Sequence, residues 1–170
     1  DPRIVRVTKS KVGLARWGGL VYSGVVETMI QMLASGPMDI DELAIEIASQ
    51  YEISANSVRM YAAAPVFSAG GGTIALRSAN DPFIPRHEPD KLPRLRILGP
   101  TRFEFDQEVD SDMIRGSGRS LPMEIGNLMN LFPGDEPISL GTMLGTPVSF
   151  SWPVKSHVGP QLGSLKALVD

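Results

Sequence analysis

Three clusters of side chains in this 170-residue chain have the types and spacing to act on a charged ligand. In Arg115-Gly116-Ser117-Gly118-Arg119 two guanidinium forks flank a serine, and the glycines between them allow close backbone approach. Guanidinium groups match phosphate oxygens bidentately, and Ser117 adds a short hydrogen-bond donor. Lys155-Ser156-His157 forms a second cationic run of similar character. The third cluster is Asn56, Ser57, Arg59 and Tyr61, where Asn56 and Ser57 can reach base edges and Arg59 can pair with guanine or phosphate. Two of these clusters also have a plainer reading. Arg115 and Arg119 would pair with Asp110 and Asp112 of their own loop, and Arg59 and Tyr61 would be a solvated cation and an aromatic at a core edge.

Covalent or hydrolytic chemistry finds little support. Asp106, Glu108, Asp110 and Asp112 are closely spaced, but their alternation puts them on the wet side of a strand. The chain has no cysteine, which removes disulfides, thiolate catalysis and cysteine-containing metal sites. His87 and His157 are its two imidazoles, too few for a three-histidine zinc site. No Asp or Glu is followed two residues later by Lys, so a common nuclease pair is missing, and no nucleophile elbow accompanies Ser117 and His157. The expectation is a non-enzyme without metal or cofactor.

Several elements must position these residues. Tyr22, Val25, Val26, Met29, Ile30 and Leu33 recur at helical spacing, and Gly36-Pro37 stops that helix. Asp39 caps a second helix, with Glu42 placed to reach back, and Leu43, Ile47 and Tyr51 form its apolar face. Ser54 caps a third over residues 55–63, which turns Ala55, Val58 and Ala62 inward and Asn56, Ser57, Arg59 and Met60 outward. Pro65 ends it, and Val66-Phe67-Ser68, three glycines and Thr73 to Arg77 read as a hairpin. That is the order of a winged helix-turn-helix, over residues 20–78. Residues 79–101, with five prolines and the cations Arg86, Lys91, Arg94 and Arg96, read as a linker. Beyond it, Phe103 to Val109 alternate as a strand, Pro122 opens a helix over 122–131, and Val148 to Trp152 return as a strand. The expected fold class is α+β: a winged helix-turn-helix, then a small mainly β, pseudobarrel-like domain over 102–170.

The strings Gly36-Pro37-Met38-Asp39-Ile40-Asp41-Glu42-Leu43-Ala44 and Ile53-Ser54-Ala55-Asn56-Ser57-Val58-Arg59-Met60-Tyr61 resemble bacterial winged helices of the HARE-HTH kind. In actinobacterial proteins of this appearance such helices follow sigma-factor-like region-four modules. Residues 1–19, with Arg3-Ile4-Val5-Arg6-Val7 and Gly13-Leu14-Ala15-Arg16-Trp17, look like the remnant of a preceding wing and its linker. Gly118-Arg119-Ser120-Leu121-Pro122-Met123-Glu124-Ile125 and Leu131-Phe132-Pro133-Gly134-Asp135-Glu136 are similar to the swapped-hairpin pattern of AbrB-like DNA-binding proteins. The resemblance implies a homodimer as one arrangement, since such folds usually need a partner copy.

Charge divides unevenly. Net charge is −3 overall, made of +4 in residues 1–19, −4 in 20–78, +2 in 79–102 and −5 in 103–170. A protein that grips DNA mainly through phosphates is expected to be more basic. No apolar run reaches the roughly 20 residues of a membrane span. The chain starts at Asp1 and reads as a fragment of a longer cytoplasmic, nucleoid-associated protein. The expected function is duplex DNA binding by a bacterial or phage regulator or genome-associated protein, through the third helix, the wing and the Arg115–Arg119 loop. The alternative is a docking module for RNA polymerase, a regulatory protein or a second copy.

Overall fold

The computed structural model describes residues 1–19, 21–78, 80–81, 83, 92–100, 102–143, 145–164 and 166, with only the backbone of 141–143. The chain is α+β and divides into two compact units, Asp1–Asp81 and Pro82–Asp170. The division falls within the proline-rich stretch. Arg86, His87 and Lys91 of that stretch lie outside the described residues.

Unit 1 opens with a hairpin of β1 (Ile4–Arg6) and β2 (Val12–Leu14), paired antiparallel with Arg6 opposite Val12. Helix α1 (Val25–Leu33) starts after Gly24 and buries Val26, Met29 and Leu33, the apolar face its spacing predicts. A two-residue strand β3 (Met38–Asp39) follows, then α2 (Ile40–Tyr51) and α3 (Ala55–Tyr61). Asp39 caps α2 by accepting from the amides of Asp41 at 2.8 Å and Glu42 at 3.0 Å. Asp39 itself pairs with Thr73 in a sheet, an engagement that the capping-box reading did not foresee. Ser54 occupies the N-cap position of α3 without a side-chain capping bond, and α3 ends two residues sooner than expected.

Strands β4 (Phe67–Gly70) and β5 (Thr73–Leu76) form the expected hairpin, and β3 joins it in the order β3-β5-β4. Gly71 and Gly72 make its turn with φ of 60° and 83°, a pair of left-handed conformations that side chains with a Cβ disfavour. Arg77 closes the hairpin's base, donating to the carbonyls of Pro65 at 2.7 Å and Phe67 at 2.8 Å. The core beneath is continuous from Tyr22 through Leu43, Ile47, Tyr51 and Val58 to Phe67 and Ile74.

The leading hairpin is docked on this unit. Lys9 N–H donates to Tyr51 O at 3.2 Å, and Tyr22 N–H to Arg6 O at 2.7 Å. Glu52, just past α2 with φ 56°, accepts from Thr8 Oγ1 at 3.0 Å and Ser10 Oγ at 2.9 Å, and pairs with Lys11. The segment that reads as the remnant of another wing is thus bonded to the turn between α2 and α3.

Unit 2 begins with a hairpin of β6 (Leu95–Gly99) and β7 (Arg102–Phe105). The strand expected to continue to Val109 stops at Phe105. Arg94, opposite its end, has φ 67° and turns the partner chain away after a last bond from Asp106 N–H to Arg94 O at 3.0 Å. Val109, expected to face inward, is exposed. Asp110 instead caps α4 (Ser111–Ile114), accepting from the amides of Asp112 and Met113 at 3.0 Å each.

After β8 (Arg119–Ser120), helix α5 (Met123–Leu128) ends earlier than expected because Asn130 takes φ 52° and Leu131 N–H bonds back to Gly126 O at 2.9 Å. Strands β9 (Ile138–Met143), β10 (Thr146–Ser151) and β11 (Gln161–Leu162) complete an antiparallel sheet in the order β8-β11-β10-β9. Met113, Leu121, Ile125 and Leu162 are buried together, with Phe103, Phe105, Val148 and Phe150 packed against them.

Candidate nucleic-acid interface

The N-terminus of α2 is the junction of the first candidate surface. Ile40 N–H donates to Gly72 O at 2.9 Å, which ties the hairpin turn to α2. One residue on, Asp41 Oδ1 accepts from Arg59 Nε at 2.7 Å, which ties α2 to α3. Arg59 Nη1 also donates to Asn56 Oδ1 at 3.0 Å. Turn, helix start and the outer face of α3 are therefore linked by consecutive contacts. Asn56, Arg59 and Met60 are exposed on that face, Ser57 is half-buried, and Tyr61 is half-buried against the core rather than fully presented. Asp39, Asp41 and Glu42 put three carboxylates at the start of α2, and Asp41 among them meets the Arg59 guanidinium. Proximity in sequence could not have revealed the Arg59–Asp41 pair. Its signal was an acidic first turn in the preceding helix.

In unit 2, both arginines of the glycine-flanked loop are engaged. Arg115 pairs with Asp112, and Arg119 Nη1 donates to Asp110 Oδ2 at 2.9 Å. The plainer reading of these residues describes their resting arrangement. Asp110 is held below the ordinary carboxylate range, first by the Met113 amide and then by Arg119, the Asp112 amide and Arg115, while desolvation opposes. Ser117 is exposed and its backbone N–H bonds to Asp112 O at 2.9 Å, which keeps the loop closed on α4. Gly116 has φ 106°, and a Cβ on it would lie 3.6 Å from Lys166 Cδ. Lys166 is thus a further cation beside this loop, and nothing in its sequence position marked it.

Lys155 is exposed, and Ser156 and His157 are half-buried in a separate turn after Trp152. Ser156 Oγ donates to Gly159 O at 3.0 Å, so this serine holds the turn's shape. Among the described residues no group of three or more His, Asp or Glu is placed to hold a metal ion, and no helix is long and apolar enough to cross a membrane. No protein-family model, curated protein or solved structure matches the chain.

Proposed function

We propose that the chain binds duplex DNA, with residues 21–78 acting as a winged helix whose third helix reads a groove. The observation that carries this reading is the run of contacts from Gly72 through Ile40 and Asp41 to Arg59 and Asn56. It joins a glycine-tipped hairpin to an exposed polar helix face, which is what a groove-reading helix with a flanking wing requires. The order α1, β3, α2, α3, β4, β5, with β3 beside β5, supports the same assignment.

Magnitudes decide whether the Arg59–Asp41 pair opposes binding. The pair is exposed, so releasing it costs up to about 1 kcal/mol. A bidentate arginine–guanine contact is worth about 1–3 kcal/mol, enough to exchange Asp41 for a base. Arg115 and Arg119 make the same exchange toward phosphate in unit 2. The three carboxylates at the start of α2 weaken sequence-independent attraction and make affinity depend on groove contacts.

A second reading, a protein-docking module, is favoured by one observation. Ile45 and Met60 are 61% and 60% exposed, and Ile45 stands one helical turn from Asp41. A mixed apolar and acidic face of this kind suits a partner with basic and apolar side chains. Titrating mixed-sequence duplex with the wild-type chain, Arg59→Ala, and Arg115→Ala with Arg119→Ala separates the two. Salt-sensitive binding weakened by these substitutions is expected; absence of binding at 50 mM salt would leave the docking reading.

A further inference from the structure

Unit 1 carries seven cationic side chains, and four are committed: Arg3 to Asp1, Lys11 to Glu52, Arg59 to Asp41 and Arg77 to Asp81. Arg6, Lys9 and Arg16 are the remaining three, and all are exposed without an ion pair among the described residues. They are spread along the leading hairpin: Lys9 stands at its tip, Arg6 ends β1, and Arg16 sits in the short turn after β2, beside the hairpin's open end. Among the described residues, the positive charge of this unit outside ion pairs is therefore carried by the leading hairpin and its following turn rather than by α3.

We infer that this hairpin is a second phosphate grip, in which Arg6, Lys9 and Arg16 hold the sugar-phosphate backbone of the duplex that α3 reads. This rests on the DNA-binding reading and adds to it a surface which that reading does not use.

Placement supports the assignment. The tip at Thr8 to Lys11 is bonded to Tyr51 and Glu52, immediately before the α3 N-cap Ser54. The other hairpin's turn reaches α3 by way of Ile40, Asp41 and Arg59. The two hairpins thus contact the two ends of α2, one at the turn that leads into α3 and one at the helix start. Helix α3 has seven residues, a length of about 10 Å, similar to the major groove's width of about 12 Å. A duplex seated on α3 presents a phosphate backbone on either side of that groove.

The tip is also built to hold its shape. Thr8 is buried, its Oγ1 accepts from the amides of Ser10 at 3.4 Å and Lys11 at 3.2 Å, and Val7 N–H donates to Lys11 O at 2.9 Å. Lys9 stands on this fixed turn. Less conformational freedom remains to be lost there on binding than on a loose loop.

The test uses the full chain and fluorescently labelled duplexes of several sequences, with affinity measured over a series of salt concentrations. Compared are wild type, an Arg6→Ala, Lys9→Ala, Arg16→Ala variant and an Asn56→Ala, Arg59→Ala variant. Each cation that contacts a phosphate contributes about 0.9 to the slope of log affinity against log salt. The hairpin variant is expected to lose about two to three units of slope and to weaken equally on every sequence, whereas the α3 variant changes sequence preference. Wild-type affinity and slope in the hairpin variant, with binding lost in the α3 variant, would overturn the phosphate grip and leave DNA binding standing. Weakened binding with an unchanged slope would also overturn it. If wild type binds no duplex at 50 mM salt, both readings fall together. Lys9→Glu alone gives the same comparison should the triple variant melt early: it is expected to weaken binding and flatten the slope, and wild-type behaviour counts against the grip.

Discussion

Arg59 and Asp41 are 39% and 66% exposed at their side chains, so water competes for both partners. Removing Asp41 should therefore change stability by less than about 1 kcal/mol in a urea titration. Under the DNA-binding reading the same Asp41→Ala change strengthens duplex binding, because Arg59 no longer has to leave a carboxylate. Weaker binding by that variant would show that Asp41 is needed to aim the guanidinium.

Glu52 behaves differently because three donors converge on it. Its carboxyl is held below the ordinary glutamate range, first by Lys11, then by Ser10 and Thr8, with desolvation opposing. A depressed folded-state value means that its stabilisation is fully present above the unfolded value and is lost as pH falls through the folded one. The hairpin tip should accordingly loosen as pH falls below the ordinary glutamate range, before the unit unfolds. The protection of the Lys9 amide, its exchange rate relative to the intrinsic rate at the same pH, should fall there, and in Glu52→Gln it should be low already at neutral pH. Equal protection in the two proteins would mean that the Tyr51 carbonyl alone holds the tip.

At the scale of elements, the helices of unit 1 were legible because their apolar residues repeat at a period that needs no partner to be recognised. Met29, Leu33, Leu43, Ile47 and Val58 are all buried as that spacing requires. Strand β3 was not legible: two residues carry no alternation, and its pairing with Ile74 and Thr73 depends on a distant hairpin. The early end of β7 was hidden for a similar reason, since the acidic alternation through Val109 continues after Arg94 has turned the partner away. In the candidate sites, the Arg115 and Arg119 partners were foreseeable from a shared loop, whereas the Arg59 partner sits on another helix.

Close packing in unit 2 gives an element-scale prediction. Gly126 lies in α5 beneath Trp152, and a Cβ there would fall 2.2 Å from the ring's Cζ3 and 3.0 Å from Leu131 O. Gly126→Ala should destabilise unit 2 by about 2–3 kcal/mol, since a buried indole cannot shift without disturbing its neighbours. Urea unfolding followed by Trp152 emission measures the effect, and a change under 0.5 kcal/mol, about the scale of surface substitutions, would mean the ring has room to move.

Taken as a whole molecule, the chain holds, among its described residues, two clusters of buried side chains with no member in common, one in each unit. Ile47→Ala should cost unit 1 about 2–5 kcal/mol through the cavity it leaves, and the unfolding midpoint of unit 2 should stay where it is. A joint shift of both midpoints would show that the units unfold as one cooperative body.

The two tryptophans differ as sharply as two such residues can: Trp17 is 70% exposed, resting on Gly13 of the leading hairpin, and Trp152 is 1% exposed in unit 2. Their emission should be resolvable by colour and by collisional quenching, with a red-shifted, iodide-sensitive component from one and a blue-shifted, shielded component from the other. Nature has thereby supplied an unlabelled optical reporter on each half of the chain, and one of them stands beside the cations assigned to phosphate.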